Sequence, residues 1–190
     1  MLHQKVKELT HPAHQQAEGI VVRRMKAIRS DADYADVLKC FYAYFSAVEN
    51  VMSKYITKDI LPDLHERRDS SYIKNDIEEL GGTIDNLPPV QVPEINSTLD
   101  AIAAMYVLEG SIMGGPYIVK MLEKGGLKKG FSFFQGYGED SKNMWAGFTK
   151  ILNKLGEDPN THDRAVSVAN ETFKNFGEVF SASTVDNKSS

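Results

Sequence analysis

The chain has 190 residues, 42% of them hydrophobic and 25% charged, with a formal net charge of −4 at pH 7. That length suits one domain able to hold a ligand between its elements, and the charge balance leaves no strongly basic face to call for nucleic acid. The single cysteine, Cys40, excludes an internal disulfide framework and fits a reducing compartment.

The N-terminal MLHQKVKELTHPAHQQ is polar and charged, unlike a secretory leader, so a cytoplasmic protein is expected. His3 is expected in a mobile terminus. Thr10 can cap a helix with Pro12 in its first turn, where a missing N–H costs least. His14, Ala17, Val21, Met25 and Ile28 recur at steps of three and four, and so share one face of that helix. Asp31 offers a cap for a second helix over 32–56, apolar along Leu38, Phe41, Phe45, Val48 and Met52 and closed by Pro62. A shorter helix over 70–80 stops at Gly81-Gly82. Residues 83–97 hold three of the seven prolines and read as a connecting loop.

A long central helix over 97–124 follows. Its 99–122 stretch is the most apolar in the chain, but Glu109 and Lys120 interrupt it, so it does not read as a membrane span. The connection over 125–140 is rich in glycine and aromatic residues. Its FSFF, 131–134, is the one candidate strand and has no partner. Two further helices, over 139–155 and 159–181, are separated by Gly156 and Pro159. The polar residues 183–190 are expected to fray beyond a domain of 1–182. The expectation is an all-α, single-domain bundle of long helices without repeats.

The segment MYVLEGSIMGGPYIV, 105–119, places Gly110, Gly114, Gly115 and Pro116 inside the most hydrophobic helix. In a helix interior each glycine costs about 1 kcal/mol against alanine, and a proline about 3 kcal/mol through a lost hydrogen bond and a ring clash. Two explanations account for such a cost. Glycines four apart let two helix backbones meet, or they leave bare backbone against something flat and rigid, with the kink curving the helix around it. The GxxxGG spacing does not choose between them.

His14 adds a second observation. It lies in line with an apolar stripe near a helix N-terminus, where the dipole favours neutral imidazole, the form that binds metal. Glu18, one turn on, is placed to orient the ring. A core histidine with satisfied nitrogens would read the same way. As a ligand, a lone histidine does not make a zinc site, which needs three or four donors, but it suffices for a porphyrin iron, whose other four donors are pyrrole nitrogens. The remaining histidines are weaker ligands: His11 points toward solvent in the first turn, and His65 and His162 fall in loops.

With these pieces together the chain resembles the haem oxygenases, above all the bacterial biliverdin-producing branch, from about Val6 to Phe180. LTHPAHQQAE, 9–18, resembles the proximal-histidine helix, with His14 as the iron ligand. YVLEGSIMGG, 106–115, resembles the distal helix, whose glycines lie over the haem face. Trp145, Phe148 and ANETFKNFGEVF, 169–180, which includes Phe173, resemble the aromatic positions of the last two helices.

The resemblance implies that haem (iron protoporphyrin IX) is both substrate and oxygen-activating cofactor, with O2 as co-substrate. It implies biliverdin, carbon monoxide and ferrous iron as products, and an external reductase, ferredoxin or flavodoxin as electron donor, with neither nucleic acid nor membrane as a partner. Gly110, Ser111, Gly114 and Gly115 would form the distal wall, and His14, Glu18 and Phe173 the proximal side. Lys7, two turns before His14, matches a basic position that meets the haem propionates. Thr149 stands where an arginine is common, with Lys150 or Lys142 as substitutes. Many relatives carry an aspartate directly after the first distal glycine to hold a water network; here that residue is Ser111. Pro116 also departs from the usual polar residue. A carrier that binds haem or another tetrapyrrole without turnover is the alternative, and a bundle serving only as an interaction module would bind no haem. Di-iron oxidases and thiamin-degrading enzymes share this general shape, but the latter would need an activated cysteine, and Cys40 reads as a packed small residue.

Overall fold

The computed structural model describes the backbone of residues 1–186 and the side chains of residues 1–181. The architecture is all-helical, as expected, with no strand among the described residues. Helix α1 (Leu2–Leu9), which the polar N-terminus had concealed, buries Leu2 and Val6 one turn apart. Thr10 joins it to α2 (His11–Lys26). Instead of capping α2, the buried Thr10 hydroxyl donates back to the Val6 carbonyl at 2.7 Å. Pro12 lies in the first turn of α2, where its missing N–H leaves no bond unmade.

Helix α3 (Asp31–Met52) starts one residue from the expected cap, because the Ser30 hydroxyl accepts from the Asp33 amide at 3.1 Å. It ends at Met52, short of the expected 56. Helix α4 (Ser70–Glu79) is capped by Asp69, which accepts from the Ser71 amide at 2.9 Å. The expected central helix is two helices, α5 (Thr98–Gly110) and α6 (Gly115–Lys124), joined by the 3-10 turn Ser111–Met113.

Helix α5 runs through the core, with every residue from Asp100 to Glu109 buried. Its small Ala101, Ala103 and Ala104 let α3 and the two C-terminal helices close in around it. The charge this buries at its start is met by Arg164, whose guanidinium donates to Asp100 at 3.0 Å. No single described helix is long and apolar enough to cross a membrane, and the bent α5–α6 pair passes that test only when taken together.

FSFF is helical rather than extended. It forms the single turn α7 (Ser132–Gln135), and the α4 residue Asp76 fixes it by accepting from the Ser132 amide (3.0 Å), the Ser132 hydroxyl (2.6 Å) and the Phe133 amide (2.9 Å). Two of these bonds satisfy orphan amides of a helix start. Phe133 and Phe134 then pack edge-on against Phe41 of α3. Helix α8 (Ser141–Leu155) leads to α9 (His162–Asp186), which packs on α1, α2, α3 and α5. The tail expected over 183–190 overlaps the end of α9, and residues 187–190 lie outside the described residues.

Candidate functional site

The chain bends by 45° between α5 and α6. Pro116 sits in the first turn of α6, so the carbonyl it would have clashed with and the bond it would have removed are not part of a continuous helix. The proline penalty expected from the sequence is therefore not incurred. The three glycines differ. A Cβ on Gly115 would overlap the Phe134 carbonyl, so this position serves the close approach of α6 to α7. A Cβ on Gly110 would meet the Trp145 ring in ordinary contact at 3.5 Å. Gly114 alone is exposed, with nothing within 4 Å of an added Cβ. Its neighbours Met113 and Tyr117 are 50% and 60% exposed, an unusual amount of apolar surface for one turn of chain.

His14 is exposed on α2, and α6 packs against that helix. Its ring stacks on Phe173 of α9, with centroids 5.3 Å apart and planes 29° from parallel. Neither ring nitrogen makes a hydrogen bond among the described residues. Glu18, one turn on, is also exposed and does not reach the ring; the aromatic face of Phe173 sets the imidazole plane instead. Lys7 on α1 and Lys150 on α8 are exposed, as is Lys142.

The other histidines are placed elsewhere. His3 belongs to α1 and not to a mobile end: its ring stands edge-on to Tyr106 and Trp145, both 5.9 Å away, and burial lowers its pKa. His162 is half-buried, with Nε2 2.8 Å from the Gly156 carbonyl. No group of three or more His, Cys, Asp or Glu side chains among the described residues could hold a metal ion. His14 is thus a single donor.

Two arginines that the sequence reading passed over hold the break from its other side. Arg67 is 5% exposed and Arg68 7%. Arg67 binds Asp63 through Nε and Nη2, both at 2.8 Å, and Glu109 of α5 through Nη1 at 2.7 Å. The Tyr137 hydroxyl lies 3.0 and 3.1 Å from the two Glu109 oxygens, and burial beside that carboxylate raises the phenol pKa beyond its usual range. Arg68 donates to the Phe133 carbonyl at 2.6 Å and to the Ser111 hydroxyl at 2.5 Å, and its guanidinium lies 4.0 Å from the centre of the Phe133 ring. Ser111 in turn donates to the Leu108 carbonyl at 2.6 Å. Its hydroxyl therefore already donates and accepts within the protein. A cavity of about 260 Å³, bounded by Glu49, Arg67, Arg68, Met105, Leu108 and Glu109, adjoins this network. The signal for Arg67 was Glu109 itself, since a carboxylate in so apolar a helix needs a buried cation.

A family model described as "Heme oxygenase" matches residues 1–182. The heme oxygenase of Xanthomonas campestris pv. campestris is 28% identical over 149 residues, covering 77% of this chain and 88% of that protein. Among solved structures, the heme oxygenase of Neisseria meningitidis, studied with NO and CO bound, superposes with a TM-score of 0.77 at 20% identity, over 95% of this chain and 90% of that one. That of Leptospira interrogans gives 0.75 at 19% identity, over 95% and 98%. The heme oxygenase-1 of the cyanobacterium Synechocystis, solved in complex with heme, gives 0.67 at 20% identity, over 95% and 90%.

Proposed function

The chain belongs to the heme oxygenase family, a family of enzymes, and on that premise we propose that it opens the haem ring to biliverdin, carbon monoxide and ferrous iron, taking O2 as co-substrate and electrons from an external reductase, ferredoxin or flavodoxin. The observation that carries this reading is an exposed imidazole with unbonded nitrogens on a helix packed against α6, whose N-terminal junction at Gly114 is bare. Those residues fit a porphyrin: one nitrogen donor, open backbone, and the exposed apolar side chains Met113 and Tyr117. When bound, haem supplies the oxygen-activating iron and the ring that is opened.

The residues divide the remaining work. His14 would hold the iron, with its ring plane set by the stack on Phe173. Gly114 keeps the distal backbone clear of a side chain, leaving room for O2 and water. Gly110 and Ser111 form the turn that carries Gly114, and Gly115 lets the next helix seat on α7. Lys7 and Lys150 would be the cations for the propionates, and Glu18 places negative charge one turn from His14. The buried single cysteine, Cys40, supports work in a reducing compartment such as the cytoplasm.

A carrier that binds haem without turnover is the second reading. It draws on Ser111, which stands where many relatives have an acid and whose hydroxyl is committed to Leu108 and Arg68. Adding ascorbate or a reductase in air to the hemin complex separates the two. Decay of the Soret band into a biliverdin absorption is expected, and a Soret band that persists under the same reductant would leave the carrier.

A further inference from the structure

Arg67 and Arg68 are adjacent and both buried, yet their partners differ in kind. Arg67 faces two carboxylates. Arg68 has no carboxylate within ion-pairing distance among the described residues, and its bonds go to neutral oxygens: the Phe133 carbonyl, the Ser111 hydroxyl and, at 3.4 Å, the Leu108 carbonyl. Burying a guanidinium without an ion pair is unfavourable, and here burial pulls its pKa down to about 10. The Glu109 and Glu49 carboxylates favour its charge from beyond ion-pairing distance, but that calls for a cation and not for a fork bonded to neutral oxygens. What a guanidinium adds is a rigid planar fork that bonds several acceptors at fixed angles.

Those acceptors come from three segments that meet at the bend. Leu108 belongs to the last turn of α5, Ser111 opens the 3-10 turn, and Phe133 belongs to α7, whose next residue, Phe134, presses on Gly115 at the start of α6. The Arg68 amide is itself held, donating to the Tyr137 hydroxyl at 3.0 Å, and Tyr137 is tied to Glu109. We propose that Arg68 is the positioning residue of the helix break, clamping Ser111 and Leu108 to α7 and so fixing where the bare Gly114 backbone stands toward the ligand. What that backbone faces rests on the haem reading. The clamp itself does not.

The test uses Arg68→Gln, Arg68→Lys and Ser111→Ala in the full chain, with two readouts. In the protein without haem, amide hydrogen exchange over 108–116 should rise at least tenfold in Arg68→Gln and less in Ser111→Ala, while protection of α9 stays at the wild-type level. Arg68→Lys, a point donor without the fork, should fall between wild type and Gln. In the ferrous haem complex, the C–O stretch of bound carbon monoxide should shift in Arg68→Gln and Ser111→Ala and return partway in Arg68→Lys. Unchanged exchange over 108–116 in a folded Arg68→Gln protein would overturn the clamp. Faster exchange with an unmoved C–O stretch would overturn its positioning role. If Arg68→Gln does not fold, Ser111→Ala, which removes one hydroxyl from a half-buried turn, carries both readouts. A wild-type protein that takes up no haem would defeat the proposed function, and the exchange experiment would still decide the clamp.

Discussion

Burial lifts the Glu49 carboxyl to about 7, although Ser70 donates to it from both its amide (2.7 Å) and its hydroxyl (2.6 Å) and Arg68 lies nearby. An acid whose folded pKa is raised binds its proton more tightly in the native state. Its contribution is therefore most favourable at low pH and is lost as pH rises from the unfolded value of 4.5 toward about 7. Replacing Glu49 with Gln should relieve a cost on the order of 3 kcal/mol near pH 8 and much less near pH 5. Melting temperatures of both proteins across that range check this, and a difference independent of pH would contradict it. At the same scale, His14 stands out in the sequence because it follows the spacing of an apolar stripe close to its helix start, although it is itself exposed. Arg67 and Arg68 were not, since Arg67 meets Glu109 from 42 residues away and Arg68 meets Ser111 from 43, and no local pattern records such a pairing.

Between α5 and α6 the sequence carried every sign of a helix end and a helix start: glycines, then a proline suited to a first turn. Summed as penalties within one helix, the same residues read as a kink. The bend is instead a change of helix, and the expected sharing of one role by the glycines gives way to separate ones. Gly114→Ala should change stability by less than about 1 kcal/mol, because its backbone is compatible with alanine and nothing opposes the added carbon. Gly115→Ala should cost about 3 kcal/mol, because the new carbon meets the Phe134 backbone, which has no flexible end to yield. Gly114→Leu should keep the fold and weaken hemin affinity. Denaturant melts and hemin titrations of the three variants check the contrast; equal stability losses at 114 and 115 would contradict it. Helix α1 was missed because only Leu2 and Val6 mark its buried side, and FSFF was misread because the bonds that make it helical come from Asp76.

For the whole molecule, the all-α bundle was readable from periodicity, while the packing that makes it a site was not. Helix α2, bearing His14, rests on α9 and touches α6, and α5 stays locked in the core between α3, α8 and α9. A ligand that bridges His14 and the break would bind only the folded chain, so hemin should raise the melting temperature with concentration, by about 2.7 kcal/mol of added stability at a hundredfold excess over Kd. Everything proposed for this site depends on haem binding through His14. The measurement closest to it is an optical hemin titration of the wild-type protein beside His14→Ala. A saturable one-to-one Soret band is expected in the wild type, and in His14→Ala, a substitution at an exposed position, a folded protein whose spectrum has lost the histidine-ligated form. Superimposable spectra in the two proteins, or no saturable band in the wild type, would contradict it.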